Sequence, residues 1–193
     1  MAIDAQRFLV RSTDRAQWLA AREGGVSATT VAEAATPAGF RDVLDKRRNP
    51  IDLSPNDYML FGTESEPALM EFAHREHGIL PSDWLIAGED PRHLATPDGL
   101  SVDHTEIAEC KTTGKDWKTP PIKYRRQVQW QLAVTGAERC LFLWNLRVPD
   151  EHGWFYLAWL EPKSLWIERD EDMISELVGV ADRLLSIEGG DDD

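Results

Sequence analysis

Two cysteines in 193 residues, Cys110 and Cys140, are too few for a disulfide framework or for a four-cysteine zinc or iron–sulfur site. No apolar run approaches the roughly 20 residues needed to span a membrane. The opening MAIDAQRFLVRSTDRAQW mixes acids and bases early and has no apolar stretch of the signal-peptide kind, so the expected compartment is a reducing cytoplasm with no membrane contact. Internal repeats and low-complexity linkers are also missing. With 42% hydrophobic and 28% charged residues, the composition is that of an ordinary globular chain. The expected organisation is one domain over 1–187 and a disordered acidic tail over 188–193, EGGDDD.

Positive charge is in deficit, at a net −13. Taken alone, that argues against a nucleic-acid partner. Its distribution changes the inference. Residues 150–193 carry 13 acids against 3 bases. Residues 111–126 instead hold Lys111, Lys115, Lys118, Lys123, Arg125 and Arg126 against Asp116 alone, and DKRRNP at 45–50 is a second basic cluster. An acidic protein can hold a polyanion where local Lys and Arg, or a divalent ion, supply the positive charge. A solvated basic face is the plainer alternative.

Pattern and punctuation predict the elements. STDRAQWLAAR (12–22) reads as a helix capped by Ser12 or Thr13, and GGVSATTVAEAA as a Gly-rich turn into a second short helix. Residues 41–56 read as polar and turn-rich. Helical periodicity returns over 57–77, with interruptions expected near Gly62 and Pro67. WLIAG, RHLAT, GLSVD and TEIAECK read as short strands. PPIKYRRQVQWQLAVTG reads as a helix with its prolines in the first turn and Gly136 at its end. CLFLWNLRV and GWFYLAWLE read as further strands, and ERDEDMISELVGVADRLLSI as a closing amphipathic helix. The fold class is α/β or α+β, with a central mixed sheet flanked by helices.

One stretch carries charge where a strand needs none. In TEIAECK, strand alternation puts Ile107, Glu109 and Lys111 on one side and Ala108 and Cys110 on the other. Asp98 stands at the Pro-Asp-Gly turn just upstream. A hard cation such as Mg2+ takes oxygen ligands, which Asp98, Glu109 and the backbone carbonyl of Cys110 can provide. Such an ion would polarise a phosphate, with Lys111 left to hold or deprotonate the attacking water. A solvent-facing Glu-x-Lys pair and an ordinary Asp-Gly turn are the competing reading. Glu66 falls on the stripe of Leu69, Met70 and Ala73, costly for a carboxylate unless paired or bound to metal. A helix-start acid is the alternative there. Glu64, Glu71 and Arg75 fall on the opposite, solvated face. Tyr124, Gln127 and Gln131 share a polar face opposite Val128 and Leu132. That face suits a phosphate backbone or a positioned water, or else is an exposed helix face.

Together, FGTESEP, PDGL…ECK and YRRQVQWQLAVTG resemble the PD-(D/E)XK nuclease superfamily, and more narrowly its YqaJ-type viral recombinases, the lambda-exonuclease-like family. WLAAREGGVSAT and IERDEDM extend the likeness over about residues 14–180. The resemblance implies a restriction-endonuclease-like core and a Mg2+-dependent DNA exonuclease, with Mn2+ as the other candidate ion. It implies that Asp98 and Glu109 ligate the metal, that Lys111 assists the water, and that Glu66 and Gln127 complete the site. Arg22, with Ser27 or Thr29, would bind a 5′-phosphate. Lys115, Lys118, Arg125 and Arg126 are the candidate backbone contacts. Implied partners are double-stranded DNA ends, a single-strand annealing protein and other copies of the chain in a trimeric ring. Degradation would run 5′ to 3′ and leave 3′ single strands, in a phage-type system inside a bacterial host.

An endonuclease on the same core, or a non-catalytic DNA-binding module, are the rival functions. A Cas4-like nuclease would need a cysteine cluster that two cysteines do not supply. Asp103 rivals Asp98 as ligand, and His104 lies in a nearby turn. His74 and His77 have zinc-compatible spacing but no third ligand. Trp144, Trp154, Trp159 and Trp166 are expected in the core. Trp117 and Trp130 are candidates for packing or for stacking on a base. Cys110 is expected to be buried.

Overall fold

The computed structural model describes residues 2–49 and 54–188. In chain order these form β1 (Phe8–Arg11), α1 (Arg15–Arg22), β2 (Val26–Ser27), α2 (Ala28–Ala34), α3 (Pro37–Arg48), α4 (Asp57–His77), β3 (Leu80–Pro81), β4 (Trp84–Ala87), β5 (His93–Ala95), β6 (Gly99–Leu100) and β7 (Glu106–Thr113). Then come α5 (Ile122–Thr135), β8 (Arg139–Pro149), β9 (Phe155–Leu157), β10 (Lys163–Glu168) and α6 (Glu171–Glu188). The fold is α/β, as expected.

The main sheet runs β10-β8-β7-β6-β3, with β9 paired to β8 beyond that path. β7 and β8 pair in parallel and the other neighbours pair antiparallel, so the sheet is mixed. A second sheet, β1-β4-β5-β2, adds to the single mixed sheet implied by the sequence pattern. The near-continuous apolar run of β8 follows from its place between β7 and β10, with both faces covered. Ile107, Cys140, Phe142 and Trp144 pack with Val128 and Leu132 of α5 and with the apolar side of α6. On the opposite face, Ala108, Cys110, Leu141 and Leu143 pack with Leu69, Met70 and Ala73 of α4. The period-2 alternation of β7 therefore sends Glu109 to the α5 side and Cys110 to the α4 side.

Several boundaries move. Asp14, not Ser12 or Thr13, caps α1, accepting from the N–H of Gln17 at 3.2 Å. Residues 37–48 form a helix, so the first part of the stretch expected to be turn-rich, 41–48, is helical; Pro37 sits in the first turn and the Thr36 hydroxyl caps it. α4 is continuous through Gly62 and Pro67. Pro67 and Thr63 both lie on its exposed side, so the Thr63 carbonyl that loses its backbone partner there can turn to water. The prolines before α5 lie just outside it, with Pro121 at the cap. GWFYLAWLE holds only the short β9, and β10 was not foreseen. α6 runs through Glu188, which takes that residue out of the expected tail; residues 189–193 lie outside the described residues. Trp144 is buried, but Trp154 is 75% exposed and leaves the expected core. Trp130 is fully buried, with Nε1 donating to the Leu94 carbonyl at 3.0 Å, so it packs and does not stack on a base. Trp117 rests against Tyr124, ring centroids 5.2 Å apart.

Gly99 sets how closely α4 approaches the sheet. A Cβ there would stand 2.9 Å from both Ala108 Cβ and Ile79 Cγ2, and 2.5 Å from Met70 Cε. Only the methionine end can swing away. Gly99→Ala is expected to cost about 1–3 kcal/mol through overpacking. Denaturant unfolding measures it, and an unchanged midpoint would contradict so tight a contact.

Candidate active site

Glu109 is 1% exposed, and an ionised carboxylate at that depth is costly unless its oxygens are satisfied. Here three donors meet it. Lys111 Nζ and Gln127 Nε2 both donate to Oε1, the latter at 2.5 Å, and Gln131 Nε2 donates to Oε2 at 2.7 Å. Lys111 shares the strand face, two residues on. Gln127 and Gln131 sit four residues apart on α5, so both reach the same strand position. The polar face of α5 is thus buried and turned onto a carboxylate; it is neither an exposed helix face nor open to a phosphate backbone.

Asp98 extends the β6–β7 pairing. Its N–H donates to the Ala108 carbonyl at 3.1 Å, and its Oδ2 accepts from the Cys110 N–H at 2.7 Å. The carboxylate takes the place that a strand carbonyl would fill. This anchors Asp98 beside Cys110 on the α4 side of the strand, at the floor of a cleft of about 490 Å³ that also meets Glu66, Lys111, Tyr124 and Arg147. Asp98 is half-buried where it lines that cleft.

The titration of the cleft follows from this crowding. Burial pushes the Asp98 carboxyl well above the usual range; Glu109 and Glu66 push it further, while Lys111 and the Cys110 N–H pull it back. Glu66 rises for the same reasons, burial first and Glu109 second. At Lys111 burial works against the charge, but Glu109 and Asp98 outweigh it, so the ammonium is held more firmly than in water. Lys111 is therefore a cation here and does not accept a proton. Burial pushes the Cys110 thiol up, with Asp98 adding to it, which makes it an inert packing group.

Among the described residues, no group of three or more His, Cys, Asp or Glu side chains stands ready to hold a metal. The donor chemistry nonetheless suits a hard cation: Asp98 and Glu109 carboxylates with the Cys110 backbone alongside. Glu66 and Asp98 crowd one another in the cleft, and the buried Glu109 adds its charge to both. On Glu109, Lys111 now occupies Oε1.

Other expected residues lie elsewhere. Asp103 accepts from Ser101 and Thr105 in an exposed turn, and His104 accepts from the Ile3 N–H at 3.1 Å; neither meets the cleft. His74 and His77 are exposed. Arg22 lies half-buried on α1 over the Trp18 ring, 4.0 Å from its centroid. Burial lowers its pKa, with like charge from Arg15 and Arg47 adding to the effect. Ser27 bonds Thr30 at 3.0 Å while Thr29 is exposed, and none of the three lines the cleft. Lys115 and Lys118 are exposed in the segment after β7. Arg125 and Arg126, adjacent in sequence, diverge by a helical step into separate hollows. Sequence reasoning gave no role to Arg147 or Thr112 in the cleft. Only the parallel β7–β8 register brings the end of β8 beside Thr112.

With fold and site described, the likenesses to known proteins become informative. The structure is similar to two structures of the alkaline exonuclease of Laribacter hongkongensis, one of them a complex with dAMP. They are 28% and 27% identical to this chain, each with a TM-score of 0.71 and covering 89% of this chain and 91% of that one. A phage-related exonuclease from Haemophilus somnus 129PT shares the fold at 12% identity and a TM-score of 0.65, over 88% of this chain and 96% of that one. No curated protein matches. The fold class is that of these exonucleases. The YqaJ-like viral recombinase domain matches residues 17–138, and the chain belongs to that family.

Because Asp98 ionises against burial and two neighbouring acids, its charge costs the fold stability. An acid whose folded pKa is raised makes the native state less stable as pH climbs above the ordinary Asp range, about 4. Asp98→Asn keeps an oxygen for the Cys110 N–H and removes the charge. In EDTA at neutral pH it is expected to raise stability by about 0.5–2 kcal/mol and to flatten the decline with pH. Thermal unfolding across pH tests this; a less stable Asp98→Asn would show that the charge is compensated.

Proposed function

We propose that this protein is a divalent-metal-dependent DNA exonuclease acting on linear duplex ends in phage-type recombination. The observation that carries the reading is Asp98 and Lys111 in one cleft with Glu66, with Lys111 also bonded to the buried Glu109 two residues before it on β7, in a chain of the YqaJ-like viral recombinase family. Similarity to an alkaline exonuclease captured with dAMP supports a nucleotide-sized product.

Asp98, Glu109 and the Cys110 carbonyl would hold Mg2+, or Mn2+ in its place. When bound, such an ion polarises the scissile phosphate and lowers the pKa of an attacking water. Lys111, held protonated by the carboxylates around it, donates to negative charge developing on the phosphate. A base role would first require that negative charge to be compensated. Gln127 and Gln131 act through Glu109, fixing its carboxylate so that it need not reorganise. Glu66, its carboxyl pushed up first by burial and then by Glu109, would be a cleft acid placed to hold a proton beside the phosphate. Arg22, with Ser27 or Thr29, would take the 5′-phosphate; the like charge of Arg15 and Arg47 around it supports that role.

The expected course is 5′ to 3′ removal of one strand, leaving a 3′ strand for an annealing protein. Lys115, Lys118, Arg125 and Arg126 would follow the DNA backbone, and a trimeric ring in the bacterial cytoplasm would keep the enzyme on its track. The net charge of −13 suits such a ring if the acidic 150–193 segment faces outward.

The test is digestion of linear duplex with Mg2+ or EDTA, on 5′-phosphorylated and 5′-hydroxyl ends, with closed circles as control. Wild type should consume one strand only with the metal, spare circles and prefer phosphorylated ends. Lys111→Ala should lose at least about 100-fold in kcat. Cut circles would make it an endonuclease, and DNA binding without cleavage would leave a binding module.

A further inference from the structure

The cleft is lined by two cations, Lys111 and Arg147, and Lys111 is already engaged by Glu109. A polyanionic substrate entering past Glu66 and Asp98 therefore meets net repulsion unless another positive group is free to receive it. Arg147 is such a group. Among the described residues no carboxylate pairs with it; its Nη1 donates only to Thr112 Oγ1, at a long 3.4 Å. Its guanidinium rests on rings instead, with Cζ 4.4 Å from the Tyr58 centroid and 5.3 Å from that of Phe155. Two aromatic faces fix the plane of the fork and leave its edge N–H groups undirected toward any protein anion. Tyr58 is 56% exposed, so this shelf stands at the mouth of the cleft.

We propose that Arg147, braced by Tyr58 and Phe155, is the phosphate-positioning residue of this cleft and binds a phosphodiester next to the one that is cut. This rests on the nuclease reading and names who receives the strand. The spacing supports a neighbouring phosphate. Lys111 is in register with Trp144, and Arg147 lies three residues further along β8, roughly 10 Å at strand rise. The odd offset also turns Arg147 to the α4 side, where Glu66 and Asp98 stand, while Lys111 approaches from the α5 side. Both cations open on the same cleft, so neighbouring phosphates of one strand would meet them in turn.

The experiment measures binding of a fluorescent 5′-phosphorylated duplex from 50 to 200 mM salt, in a Lys111→Ala background that does not cut, beside steady-state hydrolysis by otherwise wild-type enzyme. Arg147→Gln is expected to weaken binding roughly 10-fold and to reduce the slope of log affinity against log salt by about 0.9. In turnover, KM should rise more than kcat falls. Arg147→Lys should restore the slope, because it keeps the charge. Thermal unfolding runs alongside, and Arg147→Met serves if the glutamine variant unfolds. Unchanged slope and affinity in an Arg147→Gln enzyme that still digests DNA would overturn this proposal and leave the nuclease reading intact. A wild type that cuts nothing, yet loses the same slope on Arg147→Gln, would overturn the nuclease reading and keep the phosphate contact.

Discussion

A buried carboxylate with three donors organises this molecule. Glu109 is enclosed by protein on the central strand, and leaving any of its oxygens unmatched would cost several kcal/mol. Lys111 from its own strand and Gln127 and Gln131 from α5 remove that cost together. The consequence is geometric. α5 can sit against β7 in only one register if both amides are to reach the carboxylate, and that register places Tyr124 and the N-terminal turn of α5 at the cleft. Packing of Val128 and Leu132 on Ile107 and Phe142 supplies the apolar part of the same interface.

The other face of the strand is built to different demands. There α4 must come close, and the small side chains of Gly99, Ala108 and Cys110 permit it. Close approach brings Glu66 over Asp98 and creates a pocket in which acids crowd one another. Such a site trades stability for readiness, as functional clefts commonly do. Each carboxyl raised in pKa marks a place where the fold tolerates charge it would otherwise expel.

The charge pattern also changes meaning in three dimensions. The basic run 111–126 looks like one surface in the sequence, yet it divides among several. Lys111 enters the cleft, Arg125 and Arg126 point into different hollows, and Lys115 and Lys118 remain on the surface. Arg147 joins the cleft from a strand dominated by apolar residues, where nothing in the local pattern sets it apart. A cation without an acidic partner, braced by rings, becomes meaningful only beside the carboxylates it faces.

Much of the site was legible in the sequence because it depends on short-range periodicity. Alternation in TEIAECK put Glu109 and Lys111 on one face, and helical spacing put Glu66 above Leu69, Met70 and Ala73. The ordered motifs pointed to the family over most of the chain. Local pattern could not tell that the polar face of Gln127 and Gln131 was buried, since a solvated stripe and a satisfied one have the same spacing. It also misjudged α4 at Pro67 and the turn-like 41–48, where exposure and capping outweighed propensity. Sequence by itself determined which residues carry the charge and on which side of each element they lie. Tertiary structure decided which charges meet, because pairing across β7 and β8 and the burial of α5 join residues that no local period relates.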